Sequence, residues 1–356
     1  MTTTSQPVPT AIPELSYDLL RSLRKARPTD NQLVVLSQAL GTDGLGIVAV
    51  TDIPGFPEMR RRLLPIAKRL VAQPREVLAG LEDEASQWNV GWSFGRELLN
   101  GKVDTRKGSF YANPNMDVPT EDEDLIERFP CYCRPNIWPA REAEGCPEGL
   151  RELEAAFKEL GQLMYRVGME LLDACLTREG VAFDREKVSD PTCSRGRLLC
   201  YLPESASRDA SMPMSTSTST KMWCGWHKDH GALTALCPAM YLDDDDREVA
   251  CPCPSSQEQP PGLYIRTRQG DLLRASIQKD ALAFQVGEAL EKISSGALQA
   301  TPHCVFASDG ENVTRCTMAL FMQPRWDTVL DESGLTFGEF STRRLDEAYK
   351  LSGGGS

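Results

Sequence analysis

From Leu150 onward the apolar residues Leu150, Leu153, Phe157, Leu160, Met164, Val167 and Leu171 recur at intervals of 3, 4, 3, 4, 3 and 4. At 3.6 residues per turn this spacing lines one stripe of a helix, so a long helix around 150–175 is predicted, laid on the protein's own core. A coiled coil would show the same spacing, but Gly161 and Gly168 interrupt it and only about three heptads are present. Leu33–Leu40 suits a second helix, closed by Gly41–Gly44, and Met59–Val71 a third, which Pro65 should kink. Gly46–Thr51 reads as a short strand bounded by the turn signals at Pro54 and Pro57.

From Arg197 the texture changes to short apolar runs separated by Pro, Gly and Asp. Strands are predicted over Leu198–Leu202, Ala232–Leu236, Gly262–Thr267, Leu272–Ser276, Ala281–Val286, Thr301–Ala307 and Asn312–Gln323. Many short strands after a helix-rich half give an α+β class with a jelly-roll or barrel. Glu204–Lys221, rich in Ser and Thr, and Asp243–Pro261, with four successive aspartates, read as solvated loops.

Composition narrows the function more than the fold. A formal net charge of −12 with no basic stripe argues against a nucleic-acid partner and leaves small molecules or basic partners open. The absence of any long apolar run argues against a membrane span. The opening MTTTSQPVPTAIP lacks the basic and apolar regions of a secretory signal, so residues 1–13 are expected to be a disordered leader and the protein cytoplasmic. Twelve cysteines in that setting are expected to be reduced. The spacings Cys131-x-Cys133 and Cys251-x-Cys253 are not those of a zinc knuckle. Residues 352–356 (SGGGS) read as a linker-like tail.

The chemistry rests on the three histidines, His227, His230 and His303. In Trp226-His-Lys-Asp-His-Gly231, residues i and i+2 of a strand share a face, so His227 and Asp229 would project side by side. With His303 from another strand they would form a two-His-one-carboxylate site for non-haem iron, open on its far side to oxygen and substrate. His230 has the opposite parity and is not expected to ligate. Downstream, Asp309-Gly310 is a hairpin signal that would fold Arg315 back opposite His303. Arg315 and Thr317 then share a face, where a guanidinium and a hydroxyl could clamp a dicarboxylate whose other end binds the metal. Either signal alone is weak; their order along the chain gives them weight.

These residues resemble the Fe(II)- and 2-oxoglutarate-dependent dioxygenases of the isopenicillin N synthase-like group. Gly41–Phe56 is similar to the family's N-terminal segment. Val286-Gly287-Glu288 running into Thr301-Pro302-His303 is similar to the approach to its distal histidine, and Met318–Pro324 to its closing strand. The family's Asn-Tyr-Tyr-Pro is here Cys200-Tyr201-Leu202-Pro203, and its Arg-x-Ser is Arg-x-Thr.

The resemblance implies a double-stranded β-helix core over 196–350, a mixed helical region over 14–195, and helices packed outside. It also implies iron(II) on His227, Asp229 and His303, with 2-oxoglutarate held by Arg315, Thr317 and Tyr201. O₂ would be consumed with release of succinate and CO₂ and oxidation, by default hydroxylation, of a small organic substrate. Trp223, Trp226, Phe110 and Tyr111 are the candidate substrate contacts. The alternatives are an iron oxidase of the same fold that needs no 2-oxoglutarate, and a non-catalytic jelly-roll binding protein.

Overall fold

The expected long helix spans Leu153–Cys175, entered through a 3-10 turn at Glu148–Leu150. All seven residues of its stripe are buried, none more than 1% exposed, and each such burial contributes roughly 1.5–3 kcal/mol. The two glycines that interrupt the pattern lie where this helix comes closest to its surroundings. A Cβ on Gly161 would stand 2.4 Å from the Pro114 ring, and one on Gly168 2.3 Å from the Met322 sulfur. The helix Phe56–Val71 packs alongside and continues through Pro65.

The structure is a computed structural model describing residues 9–23, 30–99, 102–140, 145–178, 180–203, 222–252, 260–307 and 313–353. Among these, seventeen strands form three sheets. In the N-terminal half they are β1 (Pro9–Ala11), β2 (Glu14–Ser16), β3 (Ile47–Thr51), β4 (Gly91–Phe94), β5 (Leu98–Leu99), β6 (Lys102–Val103) and β7 (Lys107–Ala112). Next come β8 (Arg195–Tyr201), β9 (Met222–His227), β10 (Leu233–Leu236), β11 (Met240–Leu242), β12 (Glu248–Val249), β13 (Gly262–Arg266) and β14 (Leu272–Ser276). The last are β15 (Leu282–Val286), β16 (His303–Phe306) and β17 (Thr314–Met322). The larger sheet runs β2-β3-β15-β10-β17-β8-β7-β4, with β11 and β12 attached at β17. The smaller runs β1-β14-β13-β16-β9, and β5-β6 stand apart. From β9 onward the chain passes repeatedly between the two large sheets, so most neighbours in sequence are not neighbours in a sheet.

Every strand expected after Arg197 is present, but four expectations need correction. Residues 308–312, which hold Asp309-Gly310, lie outside the described residues, yet the strands they join do not pair. β16 already bonds β13 and β9 on its two edges, and β17 bonds β10, β11 and β8, so neither has an edge left for the other. The expected leader 1–13 is not loose over its described part, because Pro9–Ala11 pairs in parallel with β14 and is followed by Glu14–Ser16 paired with β3; residues 1–8 lie outside the described residues. The sheet core is not confined to 196–350, since β2, β3, β4 and β7 from the expected mixed helical region extend the larger sheet. The aspartate run forms a tight turn between β11 and β12, with Asp246 paired to Lys68 (2.9 Å) and Arg69 (3.2 Å) of the helix Phe56–Val71. Of the remaining segments, 204–221 and 253–259 lie outside the described residues, and the final helix Phe337–Gly353 takes in the start of the expected tail. No described helix is long and apolar enough to cross a membrane.

Candidate metal centre

β9 and β16 run antiparallel with His227 directly opposite His303, which sets the two imidazoles side by side, their centroids 4.2 Å apart and their planes tilted by 53°. Asp229 does not share their strand. β9 ends at His227, and Asp229 enters from the following loop, where its carbonyl accepts the Glu288 amide at the start of the helix Glu288–Ile293 (2.8 Å). Strand alternation therefore does not bring these ligands together; cross-strand register and a helix N-terminus do.

The three side chains converge so that one ligand atom from each lies within 4.8 Å of the others. Asp229 Oδ1 stands 3.5 Å from His227 Nε2 and 3.8 Å from His303 Nε2. Each histidine turns Nδ1 to a backbone carbonyl, Gly225 at 2.8 Å for His227 and Thr301 at 3.1 Å for His303. A carbonyl only accepts, so Nδ1 carries the hydrogen and Nε2 presents its lone pair to the centre, the tautomer a metal needs.

Electrostatics agree at Asp229 and His303. Burial opposes ionisation of Asp229, but His303 and His227 outweigh it and hold its carboxyl well below the usual range. Burial pushes His303 down to about 4, leaving it neutral. Burial also opposes a proton on His227, yet the Cys224 thiol and Asp229 overcome it, so these neighbours favour positive charge there. Asp229 Oδ2 is buried without a partner. A buried carboxylate oxygen left unpaired is costly, and a cation bound by the triad would satisfy it. The donor set, two imidazoles and one carboxylate on one side, fits iron(II), which would bind His227 in place of the proton its neighbours favour. His230 is not part of it: its Nε2 meets the Tyr132 hydroxyl at 3.3 Å, and Tyr132 in turn bonds Ser341.

A cavity of about 420 Å³ opens between the two large sheets. His227, Asp229 and His303 line one part, and Tyr201, Leu199, Arg315, Thr317 and Tyr241 another. Arg315 is 8% exposed, its guanidinium 5.0 Å from the Tyr201 ring and 5.4 Å from that of Trp223. Its Nε and Nη1 are buried with no partner among the described residues. Thr317 also faces this cavity, but its single hydroxyl hydrogen goes to the Cys237 carbonyl (2.6 Å), so it is already committed as a donor.

The aromatic candidates divide. Trp223 is buried behind Arg315, packed with Leu199 and Tyr201. Trp226 is exposed, with Arg266 stacked over it at 5.0 Å. Phe110 is fully buried against Phe157 and Trp138, so it belongs to the core and not to a pocket. Tyr111, its neighbour on the other face of β7, lines a second cavity of about 320 Å³ that also reaches His227 and Asp229.

Sequence reasoning missed two arginines of that second cavity, Arg195 and Arg197. The alternation Arg195, Arg197, Leu199, Tyr201 marks one face of β8, but a strand expected to begin at Leu198 stops short of them. Arg197 bonds Glu97 and Ser109, and Lys107 pairs with Glu97 at 2.7 Å. Burial opposes ionisation of Glu97, but Arg197 and Lys107 prevail and hold its carboxyl at about 2.

Solved structures share this architecture across nearly the whole chain. A full-length Neurospora crassa protein, in complex with alpha-KG, superposes with a TM-score of 0.64 at 17% identity, covering 94% of this chain and 96% of that one. A 2OG-Fe(II) oxygenase family protein from Caulobacter crescentus gives 0.62 at 18%, covering 96% and 99%. AtDAO1, the dioxygenase for auxin oxidation 1 from Arabidopsis thaliana, in its 2-oxoglutarate complex, gives 0.53 at 16%, covering 90% and 95%. The fold is that of the 2-oxoglutarate- and iron(II)-dependent oxygenases. At these identities the likeness is one of oxygenase architecture. No family model and no curated protein matches the chain by sequence.

Proposed function

We propose that the protein is an Fe(II)- and 2-oxoglutarate-dependent dioxygenase that hydroxylates a small organic molecule. The observation that carries this reading is Arg315, a buried cation that has two nitrogens with no partner among the described residues and that lines the same cavity as an open two-His-one-carboxylate triad. A buried guanidinium of this kind calls for an anion. A dicarboxylate whose other end reaches the metal answers that need, and the Neurospora crassa protein and AtDAO1, which share the fold, were solved with 2-oxoglutarate. The passage of the chain between two facing sheets supports a double-stranded β-helix of the kind the resemblance to the isopenicillin N synthase-like group implies.

In this reading His227, Asp229 and His303 hold iron, which with 2-oxoglutarate and O₂ supplies the oxidising chemistry, yielding succinate, CO₂ and oxidised substrate. Arg315 takes the distal carboxylate of the cosubstrate. The Tyr201 and Trp223 rings on which it rests keep it aimed and exclude water. The carbonyls of Gly225 and Thr301 fix the imidazole tautomers. Tyr111 and the cavity around it receive the substrate.

Anaerobic addition of 2-oxoglutarate to the iron-loaded protein should produce a visible charge-transfer band, and admission of O₂ should convert 2-oxoglutarate slowly to succinate without any substrate. If iron binds and neither signal appears, the proposal fails.

A further inference from the structure

The second cavity touches the triad at His227 and Asp229 and extends away from it between β8 and the loop around Trp88. Four cations line its wall. Three have an acid: Arg197 pairs with Glu97, Arg96 with Glu82 at 3.2 Å, and Lys228 with Glu291 at 3.5 Å. The fourth, Arg195, has none among the described residues. It is 3% exposed, and its one hydrogen bond runs from Nη2 to the Cys131 carbonyl (2.8 Å). Its Nε and Nη1 are buried without partners.

The same wall holds further unmet polar atoms. Trp88 Nε1, a donor, and Gln323 Oε1, an acceptor, are both buried and unpaired. Gln87 and Trp88 both adopt positive φ, at 55° and 54°, a conformation that costs energy in non-glycine residues and concentrates where ligands are held.

Arg195 cannot serve the cosubstrate. Tyr201, opposite Arg315, lies six residues along β8 from Arg195, a distance of about 20 Å at the usual strand rise. One small dicarboxylate cannot meet Arg315 and Arg195 together.

We infer that Arg195 binds a carboxylate of the primary substrate, so that the protein acts on acids with an apolar body. This rests on the reading of the site as an oxygenase centre and names its substrate class. The carboxylate docks on Arg195 with Trp88 Nε1 as a further donor. The apolar remainder lies between Tyr111, Tyr132 and Phe321 and directs a C–H bond toward the triad.

Calorimetric titration of the full chain with 3-phenylpropanoate and its uncharged amide, with and without excess 2-oxoglutarate, tests this. The acid should bind at least about tenfold more tightly than the amide, as a charge-assisted pair requires, and excess 2-oxoglutarate should leave the preference intact. Arg195→Met should abolish the preference without weakening the amide, Arg195→Lys should keep part of it, and Arg315→Met should keep all of it. Equal binding of acid and amide by the wild type overturns the inference. So does a preference that excess 2-oxoglutarate or Arg315→Met removes, since the acid was then reading Arg315. These wild-type arms decide the matter even if Arg195→Met does not fold. They measure binding and not turnover, so absence of succinate formation counts against the oxygenase reading separately.

Discussion

Replacing Arg315 by Met separates a ligand-binding role from a structural one, because the two predict opposite pairs of results. In the ligand-free protein Met removes two buried unpartnered donors, Nε and Nη1, each a penalty of about 1–3 kcal/mol. It also removes the stacking of the cation on Tyr201 and Trp223, worth about 0.5–2 kcal/mol each. The two effects are similar in size and opposite in sign, so thermal stability should move little, upward if at all. With 2-oxoglutarate bound there is no such cancellation. Two charge-assisted hydrogen bonds at the low end of their range amount to about 3 kcal/mol, which is about a hundredfold in affinity. The assay is anaerobic titration of 2-oxoglutarate into iron-loaded protein, followed by the charge-transfer band, beside thermal melting of the metal-free form. A variant that melts far below the wild type while binding 2-oxoglutarate unchanged would refute the argument and make Arg315 a structural residue.

Four further outcomes are expected. Thr317→Val should weaken 2-oxoglutarate far less than Arg315→Met, because the hydroxyl hydrogen already serves the Cys237 carbonyl; the same titration reads it. Equilibrium dialysis should show iron lost from His227→Ala, Asp229→Ala and His303→Ala but retained by His230→Ala, whose imidazole turns to Tyr132. Glu97 titrates near 4.5 when unperturbed and at about 2 in the fold. Its contribution is therefore complete above pH 4.5 and lost as pH falls toward 2, and melting curves of Glu97→Gln should show a weaker acid dependence across that window. Gly161→Ala should destabilise by about 1–3 kcal/mol, because its Cβ meets the rigid Pro114 ring, whereas Gly168→Ala meets the flexible end of Met322 and gains about 1 kcal/mol of helix propensity; denaturant unfolding should rank them in that order.

Elements whose signal lies within a short window were legible in the sequence. The stripe from Leu150 to Leu171 and the strands after Arg197 are set by periodicity, a local property. The converging triad was legible for a related reason: with three histidines in the chain, the choices were few. The sequence alone thus determined which three residues converge, His227, Asp229 and His303, and that a β-rich half carries them.

How those residues meet was decided by the tertiary structure. His227 faces His303 because β9 pairs with β16 in one register, and Asp229 arrives from a loop held by the helix at Glu288. Arg315 shares the cavity because β17 lies in the opposite sheet, not because a hairpin returns it. Phe110 and Tyr111 are neighbours in sequence, yet the sheet sends one to the core and the other to the second cavity. Arg195 drew no notice as a residue type; burial without an acid is what distinguishes it. Strand pairing depends on which edges other strands leave open, and charge matching depends on every group that packs nearby. Both are properties of the assembled fold, and no local window of sequence contains them.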